Sequence, residues 1–104
     1  MLFHVTMTHT PDNCPAYLSP EEQKKFFADV EKGEEVAKEM NIKIHFMVGG
    51  IGHTMYALVE ADDFNAMNSF FSGFPFKQDY QIEPVGHAKD MIAAFKAELA
   101  KRSQ

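Results

Sequence analysis

Residues 42–61 read IKIHFMVGGIGHTMYALVEA, two apolar-rich runs separated by a glycine cluster. In the first run Ile44, Phe46 and Val48 alternate with Lys43, His45 and Met47, the period of a β-strand over Ile42–Val48. Gly49-Gly50-Ile51-Gly52 supplies the positive φ angles of a reversal. His53–Ala61 forms the returning strand, so a hairpin occupies the middle of the chain.

Helices flank this hairpin. Upstream, Ser19-Pro20-Glu21-Glu22 is a helix start: Ser19 caps, Pro20 takes the position that needs no N–H, and Glu22 reaches back as in a capping box. Phe26, Val30, Gly33, Ala37 and Met40 follow at spacings of four and three and predict a core-facing stripe, which Asn41 ends. Downstream, Asp62 or Asp63 caps a second helix with Phe64, Met67, Phe70 and Phe71 inward and Gly73 at its close. Farther out, Leu2–Thr8 alternates as a half-buried strand, with Phe3, Val5 and Met7 opposite His4, Thr6 and Thr8. Phe74-Pro75-Phe76 is an apolar connection, and Tyr80–Val85 reads as a fourth strand whose Pro84 suits an edge. His87–Lys101 is a last helix with Met91, Ile92, Phe95 and Leu99 on one side. The order is β-α-β-β-α-β-α, an α+β ferredoxin-like arrangement with an added C-terminal helix, in a single domain over residues 1–104.

Composition narrows the function classes. The 104 residues are 45% hydrophobic and 24% charged, which suits one globular domain rather than a disordered chain or a membrane span. Fifteen acids against ten bases give a net charge of −5, and Lys101-Arg102 is the only basic cluster. A nucleic-acid or anionic-membrane surface needs a concentrated positive patch, so neither partner is expected. MLFHVTMTH lacks the basic start and unbroken apolar run of a signal peptide. With one cysteine, Cys14, an internal disulfide is excluded and a cytoplasmic location is expected. Ten Phe and seven Met are a heavy apolar load for so short a chain, which points to a subunit contact. The glycine cluster has no helix after it and is a turn rather than a phosphate loop.

In this topology helices cover one sheet face and leave the other bare. Alternation places His4, Thr6, Thr8, Lys43, His45 and Met47 on the bare face. Two such faces meeting in a homodimer would close a barrel around a cavity for a small organic molecule, with Thr6, Thr8, His45, Met47 and Tyr17 against it.

The opening MLFHV, the run Gly52-His53-Thr54-Met55-Tyr56, and the stretch from LVEADDF through NSFFSGFPF to YQIEPV resemble the muconolactone isomerase family. The resemblance covers the first strand and most of residues 50–85. It implies a dimeric α+β barrel, dimers able to assemble into larger rings, and a proton-transfer reaction that shifts a double bond in a small lactone. His4, Gly52, His53 and Tyr56 are the matching positions.

Two chemistries follow. The leading expectation is a cofactor-free isomerase acting on a small lactone-like or enolisable acid, with His4 or His53 as base and Tyr56 or Lys43 polarising the substrate. Glu60, His45 and His87 fall near His4 and offer either a proton-transfer group or an ion-paired subunit contact. The alternative is a metal-binding protein. The end of the first strand lies beside the start of the third, bringing His9 near His53, with Cys14 and Tyr17 folding over from the 10–18 loop. Two imidazoles and a thiolate are ligands for zinc, copper or nickel. Against it, Cys14 fits equally as a small buried residue and each histidine as a partner to backbone. A non-catalytic assembly module is the third reading.

Overall fold

A computed structural model of the chain describes residues 1–73 and 77–103. β1 (Leu2–Thr8), β2 (Lys43–Gly49), β3 (Thr54–Glu60) and β4 (Asp79–Val85) form one antiparallel sheet in the order β2-β3-β1-β4. α1 (Pro20–Glu39), α2 (Phe64–Ser72) and α3 (Ala88–Arg102) complete the expected element order, with two 3₁₀ turns, Pro11–Asn13 and Pro15–Tyr17, ahead of α1. The apolar connection expected at Phe74-Pro75-Phe76 lies outside the described residues.

Period-two patterning decides which sheet face is buried. Phe3, Val5 and Met7 pair with Val59, Ala57 and Met55, and all of these point to the side carrying α1 and α2. Met67, Phe70 and Phe71 of α2 and Ala37 of α1 close over them. Each fully buried large side chain here contributes about 1.5–3 kcal/mol relative to exposure.

Local chemistry sets the helix ends. Ser19 Oγ accepts from the Glu22 amide at 3.2 Å and donates to Glu22 Oε1 at 2.8 Å. Glu22 thus reaches back to the cap hydroxyl, a variant of the capping box. At the other end Asn41 adopts φ +57°, the Ile42 amide donates to Ala37 O at 2.8 Å and the Asn41 amide donates to Lys38 O. This Schellman closure reverses the chain and seats both Ile42 and Ala37 in the core. Asp63 Oδ1 accepts from the Ala66 amide at 2.9 Å and starts α2.

Two packing expectations need correction, and the last helix adds a third finding. Of the α1 stripe, only Ala37 is buried and only Met40 otherwise packs on the core; Val30 is exposed, because it faces an open groove between α1 and β2. Phe64 is 52% exposed, since the first residue after the Asp63 cap stands off the sheet while Phe70 and Phe71 meet it. In α3 no described residue is buried, and Met91, Ile92, Phe95 and Leu99 are all more than half exposed. The Cα radius of gyration is 17.7 Å, against about 13 Å for a compact chain of this length. The protomer therefore presents an uncovered apolar helix as well as an uncovered sheet face.

The strongest departure from simple alternation is in β2. Ile44 pairs with Val59, but Phe46 then pairs with Leu58, so His45 and Phe46 together oppose one residue of β3. This bulge inverts the parity beyond it. Met47, expected on the bare face, pairs with Ala57 and packs on the core. Phe46 and Val48, expected inward, emerge on the bare face instead, 41% and 50% exposed.

Candidate functional site

The bare face centres on β1 and β3. His4 pairs with Leu58 and Thr6 with Tyr56, and the His4 and Tyr56 rings lie 6.1 Å apart at 35°. Tyr56, Phe46 and Val48 are exposed and Leu58 is half-buried, so polar and apolar side chains alternate across this surface. Thr6 and Thr8 continue it along β1 as expected.

At the β2 edge of the same face, His45 Nε2 lies 3.0 Å from Glu60 Oε1, and Lys43 is the register partner of Glu60. The hydrogen bond from His45 holds the Glu60 carboxyl below its ordinary range; partial burial opposes this, while the charges of His45, Lys43 and the N-terminal amine reinforce it. An ionised carboxylate only accepts, so His45 Nε2–H is the donor, and in the neutral ring Nδ1 is the acceptor nitrogen. His45 lies on the side of the sheet that carries Glu60, as alternation from Lys43 places it, and the bulge begins there. A groove of about 900 Å³ runs between α1 and β2; Glu60 of the pair lines it, and His45 does not. Ala37, Ile42, Ile44, Met47 and Phe70 give it an apolar lining, with Lys43 and Glu60 at its rim. His87, placed in the same group by sequence, is the N-cap residue of α3 and is exposed, and its side chain makes no capping bond.

A second group lies at the other end of β1. Beyond the Thr8–Thr54 pair, the His9 amide donates to His53 O at 3.2 Å, extending the ladder by one bond. His9 Nε2 and His53 Nδ1 are 3.1 Å apart, with ring centroids 4.9 Å apart and planes at 73°. Cys14 joins them: one ligand atom from each residue lies within 4.8 Å of the others. Burial and the neighbouring His53 lower the pKa of His9, in that order, which favours the neutral ring. Tyr17, expected over this group, is instead 74% exposed in the second 3₁₀ turn. His53, expected beside His9 and also as an alternative base, has its Nδ1 engaged by His9 at the sheet end, well along β1 from His4.

Sequence alternation did not find the emergence of Phe46 and Val48, or the groove at the β2 edge. The consecutive run Phe46-Met47-Val48 is apolar in either register, so no pattern in it marks the bulge.

The family described as Domain of unknown function (DUF3303) matches residues 1–99. No curated protein matches the chain in sequence. Among solved structures, the crystal structure of muconolactone isomerase superposes with a TM-score of 0.61 at 18% identity, covering 85% of this chain and 92% of that one. At this identity the likeness shows a common fold, and the ferredoxin-like α+β architecture expected from sequence is observed. Among the described residues no helix is long and apolar enough to cross a membrane.

Proposed function

The chain belongs to the DUF3303 family, and we propose that it binds a small enolisable acid or lactone and shifts a proton on it without a cofactor. The observation that carries this reading is the His45–Glu60 pair at 3.0 Å, whose Glu60 lines an apolar groove together with Lys43. Glu60 fixes the ring so that Nδ1 is the basic atom. That nitrogen takes a proton from the carbon next to the carbonyl, the electron pair moves to the carbonyl oxygen, and the Lys43 ammonium stabilises the resulting enolate. Delivery of a proton from the imidazolium, after exchange with solvent, to the far carbon of the conjugated system moves the double bond and restores the base. His4, with the Tyr56 hydroxyl nearby on the same face, is a second base for a substrate lying deeper along the sheet. The fold neighbour's name describes an isomerase of a lactone, and a proton shift of this kind is the same class of reaction.

The working form in this proposal is a homodimer joined through the bare sheet faces, from which larger rings can be built. Phe46, Val48 and Tyr56 on this face and the α3 stripe leave apolar side chains in water, the kind of surface that marks a protein–protein contact. A reducing compartment such as the cytoplasm suits the free Cys14 thiol.

The test is turnover of a panel of unsaturated lactones and enolisable acids, followed by loss of the vinylic or α-proton signal in deuterated water. H45A is expected to lower kcat/KM by about 10²–10⁴-fold, the usual contribution of a positioned base, with a smaller loss in E60Q. Proton exchange that persists unchanged in H45A and H4A alike, or absence of binding and exchange across the whole panel, sinks the assignment.

A further inference from the structure

We infer that His9 Nε2, His53 Nδ1 and Cys14 Sγ form a three-ligand site for a thiophilic divalent metal ion, with Zn²⁺ the ion that the donor set fits. The site is independent of the proposed proton-transfer group. Glu60 pairs with Leu2 at the start of β1, whereas His9 follows its last residue.

Backbone structure brings each ligand in. The two histidines face one another because the β1–β3 ladder continues into the His9–His53 bond. His53 stands at φ +63°, directly after Gly52 at φ +83°, and this left-handed pair turns the ring back over the sheet end. Cys14 sits between the two 3₁₀ turns, its amide donating to Pro11 O at 3.1 Å and its carbonyl accepting from the Tyr17 amide at 3.0 Å. Gln23 of α1 ties the loop down by donating from Nε2 to Pro15 O and Ala16 O, both at 3.2 Å. A loop cysteine is thus held against a pair of imidazoles that is distant in sequence.

The distances suit a metal. Bonds of about 2.0–2.1 Å to nitrogen and about 2.3 Å to sulfur in a tetrahedron place neighbouring donors roughly 3.4–3.6 Å apart. The imidazole nitrogens, at 3.1 Å, are already close to that spacing, and one ligand atom from each of the three residues lies within 4.8 Å of the others. In the metal-free state one imidazole N–H must point at the other ring's lone pair. That shared proton lies where an ion would sit. Two neutral imidazoles and one thiolate, with no carboxylate in the group, select a borderline-soft ion over Mg²⁺ or Ca²⁺. Three protein ligands leave the fourth tetrahedral position to water or an external ligand. Binding would join the 10–18 loop to the β2–β3 turn.

The experiment uses the full chain stripped with a chelator and then titrated with Zn²⁺ by calorimetry and with Co²⁺ by absorbance. One equivalent of Zn²⁺ should bind, raising the melting temperature as free metal increases. Co²⁺ should give a thiolate-to-metal charge-transfer band. C14S changes one atom in a surface loop, leaves the core intact, and should abolish that band. It should also weaken Zn²⁺ by more than the roughly 10–100-fold typical of losing a residue that only orients a ligand. H53A should weaken Zn²⁺ similarly. Absence of saturable Zn²⁺ binding in the wild-type chain overturns the inference, as does affinity that either variant leaves unchanged.

Discussion

His45 Nε2 meets Glu60 Oε1 at 3.0 Å, with His45 standing at the β2 bulge. Without the extra residue Phe46 would face the core, while His45 would keep the Glu60 side of the sheet. The pair should be visible in acid. The folded-state pKa of Glu60 is depressed, chiefly by the hydrogen bond from His45. Its stabilising contribution is therefore present above the ordinary glutamate value and is lost as pH falls through the lower folded value. A carbon-detected titration of the Glu60 carboxyl should show a midpoint below that of the solvated glutamates. In H45A the midpoint should rise toward them. An unchanged midpoint in H45A would mean that the contact does not persist in solution.

Burial distinguishes two phenylalanines of α2 that a helical wheel treats alike. Phe71 is 1% exposed, with its ring 5.6 Å from that of Tyr80, whereas Phe64 is 52% exposed. Phe71→Ala should cost about 3–5 kcal/mol in urea unfolding, combining lost transfer energy with a cavity. Phe64→Ala should cost less than about 1 kcal/mol. Equal losses would place Phe64 in the core after all.

Asn41 carries the turn from α1 into β2 at φ +57°. This region disfavours a Cβ by roughly 1–2 kcal/mol, less for asparagine, whose short amide bonds locally. Asn41→Ala should therefore destabilise by about 1 kcal/mol, and Asn41→Gly should be neutral or slightly stabilising. The comparison is made by denaturant midpoint at constant m-value. A stabilising alanine would contradict the left-handed geometry.

What sequence revealed and what it concealed divide along physical lines. Element order, the Ser19, Asn41 and Asp63 helix ends, and the inward face of β1 follow from local rules, because alternation and capping involve neighbours in the chain. The meeting of His9, Cys14 and His53 was also legible, since antiparallel pairing of β1 with β3 brings the end of one to the start of the other. The bulge was not, because Phe46, Met47 and Val48 are apolar on both possible faces and the register is set by pairing with β3. Nor was the exposure of Val30 and Phe95, whose helical spacing shows that a stripe exists but not which surface covers it.

That covering surface gives the last prediction. Phe46, Val48 and Tyr56 form the exposed apolar part of the bare sheet, and a second copy presenting the same face would bury them in both protomers. Val48→Lys places an ammonium in that contact without touching the core, since Val48 is half exposed on the side away from Phe3, Val5 and Met7. Sedimentation at micromolar protein should show the wild-type chain as a dimer or larger closed assembly. The variant should dissociate at least about tenfold more readily, a change of about 1.4 kcal/mol, while keeping its far-ultraviolet circular dichroism. Assembly that is indifferent to Val48→Lys but lost on Phe95→Ser would move the contact from the sheet to α3. A wild-type chain monomeric at these concentrations would leave the face open to water and remove the dimer from the proposed function.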